Sequence, residues 1–93
     1  MFVHITLYCF RAGVDPEVTR AELRRRLAGQ AGACAMAPHD AEARRSWHCC
    51  MTAEAPTEAA LEKVLGGAAW RSALEHATGL CEVQKGWTFR GGS

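Results

Sequence analysis

Residues 2–10 alternate between two kinds of side chain with a period of two. One set consists of aliphatic residues and a cysteine, namely Val3, Ile5, Leu7 and Cys9. The other set is aromatic or polar and consists of His4, Thr6, Tyr8 and Phe10. Such alternation, with β-branched and aromatic residues, is typical of a β-strand. Because both sets contain sizeable side chains, we expect this strand to be covered on both faces.

A helix is predicted after this strand, with a clear start and end. Asp15 is placed to cap free N–H groups, and Pro16 suits the first helical position. Gly29 is expected to end the helix. Apolar residues form a narrow stripe and arginines occupy the other side: Val18, Ala21 or Glu22, Leu23 and Leu27 against Arg20, Arg24, Arg25 and Arg26. The arginine run is interpreted as a solvated face, because glutamates lie on the same helix.

A second helix is predicted to begin at residues 56–58 (Pro-Thr-Glu) and to end at Gly79. Two glycines at positions 66–67 should interrupt it, since they cost about 2 kcal/mol relative to alanine in a helix interior. Its apolar residues fall on both sides of this break: Leu61, Val64, Leu65, Trp70, Ala73 and Leu74.

Three further strands are predicted, over residues 32–37, 46–53 and 80–90, with a polar connection at 38–45. The resulting order β-α-β-β-α-β predicts an α+β, ferredoxin-like fold, in which an antiparallel four-stranded sheet carries both helices on one face. The strands have apolar residues on both faces, and one face of the last strand combines Cys81, Val83, Trp87 and Phe89. A bare apolar face of this size needs a cover. We therefore expect a homodimer that forms through the helix-free sheet face.

Length and composition place the chain among small globular domains. Its 93 residues allow one domain over positions 1–93, with a frayed tail at 91–93. The net charge of +1 gives no electrostatic signal for nucleic acid or a membrane partner. No apolar run reaches the roughly 18–20 residues of a membrane span, and no signal peptide is recognisable, so we expect a cytoplasmic protein. Abundant Arg and Ala beside scarce Lys indicate a bacterial source.

The five cysteines are interpreted mainly as small buried hydrophobic residues in a reducing compartment. They are Cys9, Cys34, Cys49, Cys50 and Cys81. Their odd number and the absence of a C-x-x-C spacing argue against a disulfide framework or a zinc ribbon.

His4 and His48 are the leading site candidates, because histidine titrates near neutral pH and serves as acid, base or ligand. Parity places both on one face of the sheet, about 13 Å from each other at a rise of roughly 3.3 Å per residue. The alternative is that each is a core histidine satisfied by a single hydrogen bond. Whether the two converge on one ligand is open at this stage.

Other chemistries are weaker interpretations of the same residues. A zinc or copper site could use His4, His48 and Cys50, but Cys49 and Cys50 point to opposite faces of a strand, so we expect no metal and no cofactor. A catalytic cysteine needs a base beside it, which His48 does not supply to Cys50 along a strand. Tryptophans 47, 70 and 87 are expected in the core or at a dimer interface.

Three segments resemble the stress-responsive A/B barrel (dimeric α+β barrel, Dabb) domain family. They are residues 3–14 (Val-His-Ile-Thr-Leu-Tyr-Cys-Phe-Arg-Ala-Gly-Val), residues 47–52 (Trp-His-Cys-Cys-Met-Thr) and residues 61–74 with their glycine interruption. The resemblance covers nearly the whole chain. It implies a homodimer whose two sheets close into an α/β barrel.

The resemblance also marks a departure where cyclase members of the family have their chemistry. Some plant members are polyketide cyclases with a tyrosine and a histidine on the second helix, and the corresponding positions here are Val64 and Trp70. Neither side chain transfers a proton. His4 and His48, by contrast, match strand histidines that line the pocket of those cyclases.

These observations favour a protein that binds a small apolar ligand between sheet and helices. The expected lining residues are His4, Tyr8, His48, Cys50 and Trp70. The first alternative is a polyketide cyclase-like or cofactor-free monooxygenase-like enzyme that uses His4 or His48 as a base. The second is a structural dimerisation protein. The fold alone does not choose among them.

Overall fold

A single antiparallel sheet with the strand order β2-β3-β1-β4 organises the chain. In this computed structural model, which describes residues 1–91, the strands are β1 (Phe2–Phe10), β2 (Ala33–Met36), β3 (Cys49–Ala55) and β4 (Cys81–Arg90). The helices are α1 (Pro16–Leu27), α2 (Ala41–Ser46), α3 (Glu58–Gly66) and α4 (Ala68–Leu80). The predicted α+β, ferredoxin-like arrangement is confirmed, with the second helix divided in two and α2 added.

The core lies between the sheet and helices α1, α3 and α4. From β1, alternate residues Thr6, Tyr8 and Phe10 are buried on this side, as the period of two predicts. The apolar members of the core are Tyr8, Phe10, Leu23, Leu27, Ala35, Cys49, Met51, Ala53, Ala55, Leu61, Trp70, Ala73 and Ala77. The small residues among them let the helices approach the sheet closely.

Helix α1 begins as its sequence predicts, because the Asp15 carboxylate accepts from the backbone N–H of Glu17 at 2.9 Å. Its buried stripe is different. Val18 is 66% exposed, and Thr19 takes the inward position together with Leu23 and Leu27. The Thr19 hydroxyl donates to the Asp15 carbonyl at 2.8 Å, so a polar residue is accommodated inside the helix–sheet interface.

Helix α2 lies in the segment that was predicted to be a polar connection. The Asp40 carboxylate caps it by accepting from Glu42 N at 2.7 Å and Ala43 N at 3.1 Å. The helix buries no side chain, so no hydrophobic periodicity marks it in the sequence. Strand β3 consequently begins at Cys49 and not at residue 46.

Two predicted helix ends also shift. Helix α1 stops at Leu27, with Ala28 and not Gly29 as its C-terminal cap. Helix α4 passes through Gly79 and ends at Leu80, because β4 starts directly at the next residue. The break between α3 and α4 falls at the Gly66–Gly67 pair, as predicted.

The helix-free face of the sheet is largely apolar and open. Met36, Val83, Trp87 and Phe89 are each between 43% and 49% exposed. Trp87 pairs with Ile5, and the exposed Lys85 lies between Val83 and Trp87 on the same face. Cys81 does not belong to this face. A register shift at Cys9–Phe10 pairs Cys81 with Phe10, which rotates it away from Val83.

At the chain end, the Gly91 N–H donates to the Met1 carbonyl at 2.8 Å. The other two positions of the predicted tail, 92 and 93, lie outside the described residues. Within residues 1–91, none of the helices has the length and apolar character needed to cross a membrane.

Candidate functional site

His4 projects from β1 toward the helices and is held at both ring nitrogens. Nδ1 lies 2.9 Å from the Thr88 hydroxyl, and Nε2 lies 3.2 Å from the Thr6 hydroxyl. The ring meets the edge of the Trp70 indole, with the ring centroids 6.0 Å from each other. Since each hydroxyl can donate or accept, either neutral tautomer is satisfied.

The surroundings of His4 favour its neutral form. Partial burial lowers the pKa of the imidazole from its ordinary value of 6.5. A neutral imidazole at physiological pH can accept a proton or a hydrogen bond. His4 is half-buried and both of its ring nitrogens already face hydroxyls, so a ligand reaches either nitrogen only by replacing Thr6 or Thr88.

Beside His4, the helix side of β4 forms a shallow exposed surface, which we call the open step. The helix side of β4 is exposed at Gln84, Gly86 and Thr88. The nearest atoms to a Cβ at Gly86 would be the Ile5 carbonyl oxygen at 3.6 Å and the His4 ring at 3.7 Å. The missing side chain therefore leaves this edge of the imidazole uncovered.

Trp70 closes the space below this step. It is only 2% exposed and belongs to the core between α4 and the sheet. Of the predicted lining residues, His4 and Trp70 are the two that the fold brings together. A ligand at this place would lie over the edge of the imidazole and not deep between sheet and helices.

Tyr8 is completely buried, and its hydroxyl has no hydrogen-bond partner among residues 1–91. Burial raises the pKa of Tyr8 to about 12. The Thr78 hydroxyl lies close enough to lower that pKa slightly, but its own proton goes to Gln84 Oε1 at 3.2 Å. Tyr8 is thus a core residue with a buried hydroxyl, and it does not reach the open step.

His48 lies at the opposite end of the sheet from His4. It precedes β3, where its Nδ1 accepts from the Phe10 N–H at 2.8 Å and its ring stacks on Phe10 at 5.8 Å. His4 pairs with Ala53, five residues further along the chain, which corresponds to about 16 Å of strand. The two histidines do not converge. The His48 ring stacks on Phe10, on the helix side of the sheet toward which His4 also projects, so distance along the strands and not the face separates the two histidines.

Cys50 lies on the helix-free face, where it pairs with Leu7 and Met36. It therefore does not line the space between sheet and helices, contrary to the prediction. Burial and the neighbouring Cys34 raise the pKa of its thiol, so it is not an activated nucleophile. His4, His48 and Cys50 are dispersed, and residues 1–91 contain no group of three metal-ligating side chains.

A cleft that the sequence does not predict opens at the His48 end of the sheet. Its volume is about 250 Å3. The lining residues come from α1, α2, the residue after β2 and the two residues between α2 and β3: Pro16, Glu17, Arg20, Ala37, Arg44, Trp47 and His48. Of these, Arg44 lies in the segment that was interpreted as a connection and Trp47 in a predicted strand, so no sequence pattern joins them.

Solved structures share this architecture at low sequence identity. A dimeric protein of unknown function with a ferredoxin-like fold from Bacteroides fragilis has a TM-score of 0.74 at 11% identity, covering 97% of this chain and 95% of its own. The cofactor-independent oxygenase SnoaB from Streptomyces nogalater has a TM-score of 0.64 at 12% identity, with coverage of 97% and 91%.

A dabb family protein with a ferredoxin-like fold from Mesorhizobium loti has a TM-score of 0.71 at 9% identity, covering 99% of this chain and 97% of its own. No protein-family model matches the sequence, and no curated protein matches it significantly. The chain therefore has the ferredoxin-like fold found in the Dabb family, which confirms the resemblance seen in the sequence at the level of the fold.

Proposed function

We propose that this protein is a homodimer that binds a small molecule in each protomer. The dimer forms through the helix-free faces of the two sheets. The observation that carries this proposal is the exposed set Met36, Val83, Trp87 and Phe89 on one side of a four-stranded sheet. Contiguous exposed apolar surface of this kind marks an interaction site. The related fold from Bacteroides fragilis is described as dimeric, which supports the same arrangement.

Trp87 is the central anchor of the proposed interface. It pairs with Ile5 of β1 and is 43% exposed. If the dimer buries that fraction of a side chain of about 250 Å2, it removes about 100 Å2 from water, worth about 2.5 kcal/mol. A two-fold axis applies this contribution twice, once in each protomer.

The ligand in this proposal is a small, largely apolar molecule with one hydroxyl group. It lies in the open step over Gly86 and forms a hydrogen bond with His4 by replacing the Thr6 or Thr88 hydroxyl, with the exposed edge of the imidazole as its apolar contact. The support is local: His4 is half-buried, its neutral form is favoured, and Gly86 offers no side chain to block it.

A cofactor-free oxygenase or cyclase-like enzyme is the second candidate. In it, His4 removes the acidic proton of a phenol-type substrate. The neutral imidazole favours such a base, and the similar fold of SnoaB, described as a cofactor-independent oxygenase, supports the comparison. His48 does not assist, because it lies about 16 Å of strand away from His4. A structural dimer without ligand is the third candidate.

The site of action in this proposal is the cytoplasm of a bacterium. All five cysteines are free thiols, which suits a reducing compartment.

Equilibrium sedimentation tests the dimer. We expect the wild type to sediment at twice 10.1 kDa, and the Trp87→Lys variant to dissociate with a constant raised by at least about a thousandfold, from the two anchors lost. Val18→Lys is the matched control, since Val18 is an equally apolar, exposed residue on α1. A wild-type monomer, or equal effects of both variants, contradicts the proposed interface.

Titration with phenol, followed by the imidazole resonances of the protein, tests the ligand site. Loss of one hydrogen bond in His4→Gln should weaken binding by about three- to tenfold. His39→Gln, at an exposed histidine outside the site, should bind phenol as the wild type does. If phenol leaves His4 unaffected while the dimer persists, the structural candidate replaces the ligand-binding one.

Hydrogen–deuterium exchange on the ring of resorcinol separates a binder from an enzyme. A general base contributes about a hundredfold or more to a rate. Exchange accelerated by the wild type and lost in His4→Gln supports catalysis. Binding of resorcinol without accelerated exchange supports the binding function alone.

A further inference from the structure

The cleft at the His48 end of the sheet collects hydrogen-bond donors from three parts of the chain. Arg20 comes from α1 and donates to the His48 carbonyl. Arg44 comes from α2 and donates to the carbonyls of Pro38 at 2.7 Å and His39 at 3.1 Å. A guanidinium has five N–H groups, so both arginines are anchored by backbone contacts and still have donors left for a ligand.

The imidazole of His48 adds a donor of defined direction. Its Nδ1 accepts from the Phe10 N–H at 2.8 Å, so the hydrogen of the neutral ring resides on Nε2. Among residues 1–91, no group accepts from Nε2. The backbone of β1 thus selects the tautomer that donates.

The charge of the cleft is positive. Glu17 is its single carboxylate, and it forms no ion pair with Arg20 or Arg44; the ion pairs of residues 1–91 join Glu22 to Arg25 and Arg26. The carboxylates of Asp15 and Asp40 keep their negative charge as helix caps and lie outside the lining. Within the lining, two guanidinium groups face one acidic side chain.

Trp47 supplies the apolar part of the lining. The Lys85 ammonium lies 5.9 Å from the centroid of its ring. The volume of about 250 Å3 is below the roughly 300–1,000 Å3 of pockets for drug-sized ligands. A ligand with a single ring fits this size.

We propose that this cleft is a second binding site, for a small aromatic carboxylate. The carboxylate accepts from the Arg20 and Arg44 guanidinium groups and from His48 Nε2, and the ring packs on Trp47. Paired guanidinium donors match the two oxygens of a carboxylate. This site is separate from the step at His4 and does not depend on it.

Isothermal titration of the full chain with benzoate tests the site, with benzamide as the uncharged ligand of the same shape. We expect benzoate to bind and benzamide to bind at least tenfold more weakly. Arg44→Gln should weaken benzoate binding about tenfold, because it removes a charge-assisted contact. Arg45→Gln is the matched control: it removes the same charge from the next residue of α2, outside the cleft.

Three results would overturn the proposal. The first is no binding of benzoate, and the second is equal binding of benzamide. The third is an equal weakening by Arg44→Gln and Arg45→Gln, which reports only a diffuse surface charge. Trp47→Leu gives an independent check, because it leaves the arginines in place. It should weaken benzoate binding at least threefold, and unchanged binding counts against the ring contact.

Discussion

Replacing Gly32 with alanine should destabilise the protein strongly, because two structural constraints act on this residue. Its φ is +79°, a left-handed conformation that glycine adopts without strain. An added Cβ would lie only 2.4 Å from the Glu54 carbonyl oxygen. That contact is with backbone and not with a flexible side chain, so a strand must move to relieve it.

The cost can be estimated from the contacts of Gly32. An alanine in the left-handed region costs about 1–2 kcal/mol. Because alanine also lowers the chain entropy of the unfolded state, about 0.4–1 kcal/mol of this cost is offset. Moving Glu54 away weakens the 2.8 Å hydrogen bond from its N–H to the Gly32 carbonyl, worth about 1 kcal/mol. Together with lost pairing at the start of β2, the free energy of unfolding should fall by about 2–4 kcal/mol.

Gly13 provides the matched control for this prediction. Its φ is +90°, but a Cβ there meets nothing within 4 Å, so Gly13→Ala should cost only about 1 kcal/mol from strain. Urea unfolding of both variants at one protein concentration measures the difference. If the two variants lose the same free energy within about 0.5 kcal/mol, the close approach of Gly32 to Glu54 is not a packing constraint, and the reasoning fails.

Further predictions concern other buried or capping groups. Tyr8→Phe should raise the free energy of unfolding by about 1 kcal/mol, since it removes a buried hydroxyl without a partner; a decrease in urea unfolding would reveal a hydrogen bond to Thr78. Burial lowers the pKa of His4, so as the pH falls below about 6.5 the imidazole is protonated in the unfolded state before it is protonated in the folded state. The contribution of neutral His4 to the free energy of unfolding is therefore fully present above that pH and decreases below it. The urea midpoint of the wild type should therefore fall more between neutral and mildly acidic pH than that of His4→Gln, and equal falls would contradict this assignment. Asp40→Ala should speed amide exchange in α2 by about fivefold, from a cap worth about 1 kcal/mol, and unchanged exchange would show that α2 does not need its cap.

The two histidines show what the alternation of side chains along a strand can predict and what it cannot. Parity correctly placed His4 with Thr6 and Tyr8 on one face of β1, because neighbouring side chains along any strand point to opposite sides. It could not relate β1 to β3, since a face is shared across strands only once the register is known. Register pairs His4 with Ala53, which separates it from His48.

Local chemistry determined the start of α1, the break between α3 and α4 and the alternation of β1: the Asp15 cap, the Gly66–Gly67 pair and the period of two each depend on residues a few positions from one another. Only the tertiary structure decided the pairing register, the bulge that turns Cys81 away from Val83, and the cleft that joins Arg20 to Arg44. These features depend on contacts between segments distant in the chain. Their energies come from packing and pairing across the whole sheet, and no local pattern encodes them.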